Sequence, residues 1–368
     1  MVFYLTIWSL VALASFFDVT TLSLKKKKMI ALCIFSLSVV LGATRNQVGT
    51  DWEQYYYLFV HNTTFADYFE VNTVYETGYM ALNYIAHLIS DEYVMLLFLM
   101  TLIICILKYK TFFSIAQYPL VVLMLDFSYN IGNIFPVRQN IAIAIILFSV
   151  LYIISKKPVH FTVTFLLANF FHRTAIVFLP AYFLFYKKID TKKLLVFLIL
   201  FSSLGFLFSD ILTSYISTLV TNSFFIEKFI AYSTDVDNSF GAAADSTTRI
   251  ITSTLKKAVV LVILWSLKKK AERVYPYYNG LFNLYFVSNL LYLFFIPIAP
   301  EIALRIVPYY NVFEYFLLAS LIGLSKKWWI KILILLLLLA YGLLKYVTAI
   351  NAFYDLFVPY NTILFVLF

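Results

Sequence analysis

The sequence predicts an all-α, polytopic integral membrane protein of about twelve transmembrane helices (range 10–14), with outward-facing loops. Three observations carry this reading. Of 368 residues, 62% are hydrophobic and 13% charged, about half the charged share of a soluble domain. Apolar runs of span length recur along the whole chain. Between them, lysines gather in short clusters at alternate ends of the runs.

A membrane span takes about 20 apolar residues. On that measure the runs fall at roughly 2–19, 29–44, 92–108, 117–133, 138–155, 159–172, 173–187, 193–209, 251–267, 276–297, 303–323 and 328–347. The first has no basic region before it and no small-residue cleavage site after it, so it reads as a retained span. Three runs (29–44, 159–172 and 173–187) are short, and are either tilted, broken or buried among neighbours. Residues 76–90 are helical in pattern but short, and carry His87, which points to a re-entrant or interfacial helix on the outer side. The whole chain, 1–368, reads as one transmembrane domain.

The lysines orient this arrangement. With Lys25–Lys28 in the cytoplasm, alternation places Lys108, Lys110, Lys156, Lys157, the cluster 187–193, Lys268–Lys270 and the cluster 326–331 on the same side. That accounts for 18 of the 22 lysines. Counting 76–90 as a full span would reverse the later clusters. Loops 45–91, 133–138 and 210–250 then face outward. The formal net charge of +9 is therefore topological, and a nucleic-acid partner is excluded. Cys33 and Cys105 both lie inside apolar runs, which argues against a disulfide or metal framework.

Residues 45–76 (RNQVGTDWEQYYYLFVHNTTFADYFEVNTVYE) break the apolar pattern most sharply. They carry Arg45, Asp51, Glu53, His61, Asp67, Glu70 and Glu76 with five tyrosines, a richer composition than a plain connector needs. The arginines follow a different rule from the lysines. Only Arg273 of six falls on the cytoplasmic side, while Arg45, Arg138, Arg173, Arg249 and Arg305 lie at outer ends of spans or within them. A charge at membrane depth costs roughly 2.5–3.5 kcal/mol and normally lines a cavity with a partner. Either each arginine pairs with a carboxylate such as Asp51, Glu76, Asp126, Glu301 or Glu314, or the set meets an outward-facing anionic ligand. The guanidinium fork suits phosphate oxygens.

Pro136 marks a helix start that places Arg138 and Gln139 in the first turn. A cation there opposes the helix dipole unless an anion is bound as well. His172-Arg173 interrupts the run 161–186 and reads as a tight outer turn or a helical break. Histidine titrates in the range useful for proton transfer. Loop 210–250 begins with an amphipathic stretch, 211–232, suited to the outer surface or a lid, and ends in a polar segment before Arg249. Lys256 and Lys257 either mark an outer boundary or line a wet cavity.

The succession Arg45, Gly49, Thr50, Asp51, Trp52, Tyr55; then Glu76, Gly78, Tyr79; then Arg138, Gln139, Ala142; then Phe171, His172, Ala175, Ile176 resembles the EpsG-like branch of the Wzy-type bacterial polysaccharide polymerases. The resemblance covers about residues 1–190 and continues beyond them through span pattern and Arg305. It implies a bacterial plasma-membrane glycosyltransferase with its active face outward. Such enzymes join undecaprenyl-diphosphate-linked oligosaccharide repeats into O-antigen or exopolysaccharide, without metal, cofactor or nucleotide sugar.

The residues suit that chemistry. Arg138, Arg173, Arg249 and Arg305 are the candidates for diphosphate contact, since outward arginines can stabilise the leaving charge. His172 is the first candidate for the base and Asp51 the second. Tyr55 and Tyr56 suit a sugar-binding wall, or equally an interfacial aromatic belt. Arg45, Glu76 and Gln139 are assigned to sugar binding or to ordering the loop, Arg45 through an ion pair with Asp51 or Glu76. A chain-length regulator is a further partner left open. Three other functions compete: a flippase or exporter of the same lipid-linked glycan, which should show two similar halves, a membrane acyltransferase, which needs a histidine reachable from inside, and a non-catalytic assembly partner, which would not need five outward arginines.

Overall fold

In the computed structural model, which describes residues 1–71, 75–218 and 246–366, the chain is all-α. Among the described residues there is one isolated β-bridge, Arg45 to Thr362, and no strand. The helices form two compact units, residues 1–179 with 318–368, and residues 180–317.

The first unit contains α1 (Val2–Ser15), α2 (Leu24–Thr44), α3 (Trp52–His61), α4 (Thr77–Ile89), α5 (Tyr93–Ile115), α6 (Pro119–Tyr129), α7 (Arg138–Ile154) and α8 (Pro158–Phe171). The second holds α9 (Thr191–Thr218), α10 (Ser246–Ser266), α11 (Tyr278–Phe295) and α12 (Pro300–Ile306). The last long helix, α13 (Trp328–Ala352), returns to the first unit. Among the described residues α2, α5 and α13 are long and apolar enough to cross a membrane alone. A broken pair, Pro300–Ile306 with Pro308–Leu324, bends by 41° and makes a fourth candidate, and several apolar helices are shorter. The break falls where Pro308 removes a backbone donor.

Several boundaries differ from the sequence expectation. Residues 173–187, expected as a short run that is tilted, broken or buried, are broken: α8 ends at Phe171, and a 3-10 segment (Arg173–Phe178) and a single turn (Ala181–Leu184) follow. The run 117–133 yields only the 11-residue α6. At 1.5 Å per residue it rises about 16 Å, too little to cross a bilayer. Residues 119–128 are all buried, so α6 is apolar around its circumference and packs inside the unit against α1 and α13. Its first turn takes its cap from a distant carboxylate. Asp18 accepts hydrogen bonds from Leu120 N at 2.6 Å and Val121 N at 3.0 Å, and pairs with Lys27 at 3.2 Å. The amphipathic stretch expected at 211–232 lies largely outside the described residues, although α9 runs on to Thr218.

Beyond α6 the backbone leaves the helix. Ile131, Gly132 and Asn133 take positive φ angles of 45°, 70° and 58°, and residues 131–136 are buried. Irregular backbone at membrane depth persists only where protein satisfies it. Here turn bonds serve it, from Asn133 N to the Asn130 carbonyl at 2.9 Å and from Ile134 N to the Ile131 carbonyl at 3.4 Å, and an ionic cluster anchors the segment through Asn133. Lys108 Nζ donates at 2.7 Å to Asp126 Oδ1 and at 2.7 Å to Asn133 Oδ1, and Asn133 Nδ2 donates at 2.9 Å to Asp126 Oδ2. Lys108 and Asp126 are both buried. Lys108 is therefore not a lysine marking the inner boundary, as its place at the end of an apolar run predicts. Its charge is neutralised in place, and α5 continues for seven more residues to Ile115.

Candidate functional site

The site is built at one end of the α7–α8 hairpin. The two helices are antiparallel neighbours joined at residues 155–157, where Lys156 adopts φ 55°, so the start of α7 and the end of α8 share an end. That end presents Arg138 as the first residue of α7, and His172-Arg173 just after α8. Extended Val137 (φ −125°, ψ 164°) brings the chain from Pro136 into the helix, as a residue following proline allows.

α4 brings the carboxylate. Glu76 precedes its first turn, where a negative charge complements the helix dipole. The Glu76 carboxylate pairs with the Arg138 guanidinium and also accepts from the Arg173 backbone N–H at 3.4 Å. Gly78 allows this approach. A Cβ there would lie 2.7 Å from the Phe170 carbonyl oxygen, so only glycine lets the start of α4 lie against the end of α8.

Tyrosines complete the enclosure. Arg138 Nε donates to the Tyr55 hydroxyl at 3.1 Å, and its guanidinium lies 4.6 Å from the Tyr75 ring centroid and 5.7 Å from that of Tyr79. Burial, then the charge of Asp51, pushes the Tyr55 phenol well above its usual range, against the opposing pull of Arg138. Tyr55 therefore stays a neutral hydroxyl. Tyr75 is absent from the sequence-derived set; its signal was its place directly before Glu76.

Arg45 has a different job from the one expected. It pairs with neither Asp51 nor Glu76. Its guanidinium donates to the Val48 carbonyl at 3.1 Å and the Pro136 carbonyl at 3.3 Å, and its own carbonyl accepts from Trp52 Nε1 at 3.3 Å. Gly49, at φ 111°, leaves room for it: a Cβ there would sit 2.5 Å from Arg45 Nη1. Arg45 thus ties the 45–52 loop to the segment leading into Arg138, without touching a carboxylate. An orphan guanidinium buried this way is costly unless carbonyls satisfy it.

The remaining sequence-predicted residues are placed as follows. Asp51 precedes α3, half-buried, and its carboxylate makes no hydrogen bond among the described residues. His172 is buried, with Nδ1 2.6 Å from the Thr174 hydroxyl. The Arg173 side chain is exposed and makes no ion pair among the described residues. Gln139 is half-buried in the first turn of α7. Tyr56 stacks on Trp52 at 4.9 Å and remains partly exposed, within an aromatic group that includes Tyr93. Arg305 belongs to the second unit, where it pairs with Glu301 at 3.3 Å. The Arg249 side chain lies outside the described residues. Lys257, in the same unit, donates to Asn311 Oδ1 at 2.7 Å and lies 5.2 Å from the Tyr292 ring, so it lines a polar seam inside the helix packing. Among the described residues no group of His, Cys, Asp and Glu has a metal-binding arrangement.

The structure thus brings Tyr55, Glu76, Arg138 and Arg173 together, with His172 adjacent in the chain. A cationic fork held by a carboxylate and flanked by tyrosines has the chemistry that suits an anionic group beside hydroxyls or a sugar face.

An all-helical, strongly apolar chain with buried charges is a membrane-embedded protein. The EpsG family model matches residues 27–362, and the chain belongs to the EpsG family. Membership brings a polysaccharide polymerase-like role and, in general terms, glycosyltransferase-like chemistry on lipid-linked sugars in a membrane. No curated protein and no solved structure matches the chain.

Proposed function

We propose that the protein polymerises undecaprenyl-diphosphate-linked oligosaccharide repeat units, as a Wzy-type enzyme, on the outer face of the bacterial plasma membrane. About twelve helical segments embed it, with the lysine-rich ends inside and the Arg138 end outside. The single observation that supports this reading is the Glu76 carboxylate shared between the Arg138 guanidinium and the Arg173 amide. It holds a cation at the end of a hairpin whose other helix ends at a histidine.

The reaction follows from these groups. An acceptor hydroxyl attacks the anomeric carbon of the donor glycan, and the bond from that carbon to the diphosphate oxygen breaks. The diphosphate leaves with the electron pair and stays on its lipid. The proton passes from the hydroxyl to a base, His172 first and Asp51 second. Arg138 and Arg173 stabilise the charge that grows on the departing diphosphate. When diphosphate binds, Glu76 shares Arg138 with it and keeps the fork aimed. Tyr56, Tyr75 and Gln139 offer ring faces and hydrogen-bonding groups to the sugars, while buried Tyr55 positions Arg138 through its hydroxyl and Arg45 orders the loop.

The test uses cells producing Arg138→Ala, His172→Ala or Asp51→Asn at matched protein levels, with surface polysaccharide resolved by length on a gel. Collapse of the ladder to single repeats on the lipid carrier at the outer face supports polymerisation. Lipid-linked units trapped on the cytoplasmic side would make the protein a transporter instead.

A further inference from the structure

The second unit contains a recess lined by none of the residues of the candidate site. It has a volume of about 860 Å³ and is lined by the end of α10, the connection 268–276, the start of α11 and the segment before α9. Lys188, Lys268 and Lys269 line it with Asp190 and Glu272, and Val262, Trp265 and Pro276 provide an apolar wall. Lys187, Lys270 and Arg273 flank it in the chain. These residues belong to two of the lysine clusters that alternation places in the cytoplasm.

The charges in the recess are unevenly matched. Glu272 reaches Lys268 only at 3.7 Å, and Lys188 and Lys269 form no ion pair among the described residues. Lys268 is largely withdrawn from solvent, its side chain 13% exposed, with its ammonium 5.0 Å from the Phe282 ring centroid. Burial pulls its pKa downward against the opposing pull of Glu272. A second anion would remove that penalty. The apolar wall beside the ammonium groups favours an amphiphile over a free ion, and tryptophan is a residue of the membrane interface.

We propose that this recess holds the headgroup of an anionic phospholipid from the cytoplasmic leaflet, its phosphodiester on Lys188, Lys268 and Lys269 and its hydroxyls on Asp190 and Glu272. Basic pockets among helices on the cytoplasmic side suit such headgroups. The two carboxylates select within the class. They accept hydrogen bonds from a glycerol headgroup, as in phosphatidylglycerol, while the excess of lysine disfavours a zwitterionic one. The site is independent of the polymerase reading, and binding in detergent does not depend on membrane orientation.

The experiment is native mass spectrometry of the full-length protein in detergent with phosphatidylglycerol, phosphatidylethanolamine or inorganic phosphate. Lys188→Gln/Lys269→Gln is compared with Lys188→Arg/Lys269→Arg and with Lys25→Gln/Lys26→Gln, which removes equal charge from the exposed start of α2. The expected result is one retained phosphatidylglycerol, with occupancy falling on the order of tenfold in the 188/269 glutamine pair and unchanged in the other two. Equal loss in the 25/26 pair, unchanged retention in the 188/269 glutamine pair, or equal retention of phosphatidylethanolamine would overturn the proposal. Displacement of the lipid by inorganic phosphate at equal concentration would overturn the lipid as the source and indicate a soluble phosphate compound.

Discussion

Gly78 lies against the Phe170 carbonyl so closely that a Cβ would sit 2.7 Å from its oxygen. This contact fixes the start of α4 on the end of α8, and so sets Glu76 beside the Arg173 amide. Backbone cannot yield as a flexible side chain does.

Gly78→Ala is therefore expected to lift α4 from α8. Overpacking of this kind costs about 1–3 kcal/mol. The melting temperature in detergent should fall, and polymer output should fall by more than the loss of folded protein accounts for. A variant with a lowered melting temperature and full-length polymer would detach this contact from the site.

Arg138→Lys keeps the charge but removes the planar fork and the Nε–H that reaches Tyr55. Polymerisation should drop by roughly tenfold with little change in stability. Arg138→Ala should add a loss of about 1–3 kcal/mol, because Glu76 is left half-buried without its cation. The paired exchange Arg138→Glu/Glu76→Arg should recover stability without recovering polymer. Gel ladders beside thermal melts separate the two effects.

Lys108 and Asp126 form a buried pair that holds the left-handed turn before Arg138. Removing one partner, as in Lys108→Met or Asp126→Leu, leaves the other charge buried alone, at about 3–5 kcal/mol. Both variants should melt well below the parent. Lys108→Met/Asp126→Leu should recover much of that loss, and a double variant no more stable than the singles would argue against the pair.

Asp67 supplies a pH test of the outer loop. Its carboxylate accepts from the Thr64 and Thr63 amides at 2.8 and 3.1 Å, and these bonds, Thr64 foremost, lower its pKa below the usual value of 3.8. A depressed carboxylate stabilises the turn above its unfolded pKa and loses that contribution as pH falls through the folded value. Protection of the Thr63 and Thr64 amides, their exchange measured against the intrinsic rate at the same pH, should hold at neutral pH and be lost only as pH falls below 3.8. In Asp67→Asn that protection should already be weak at neutral pH.

Arg45, Glu76, Arg138 and His172-Arg173 are legible in the sequence because charge beside an apolar run stands out, and because Gly49 and Gly78 sit at fixed spacings from them. The helical class is legible from composition alone. The pairing is not. Lys108 looks like a boundary lysine because its neutralising partner lies 18 residues further on, and no local pattern shows that an apolar run continues past a charge. The break after Phe171 is legible, since His172-Arg173 interrupts the apolar run; what hydropathy hides is that only short helical turns follow it. Arg45 appears ready for an ion pair, yet carbonyls serve it, because backbone acceptors leave no trace in residue type.

The most direct measurement is elongation by the purified protein in proteoliposomes, supplied with a synthetic lipid-diphosphate-linked repeat unit. The account predicts products of two and more repeats, with free lipid diphosphate released in step with each bond formed, and neither from Arg138→Ala. Movement of intact repeat units across the bilayer without bond formation would contradict it.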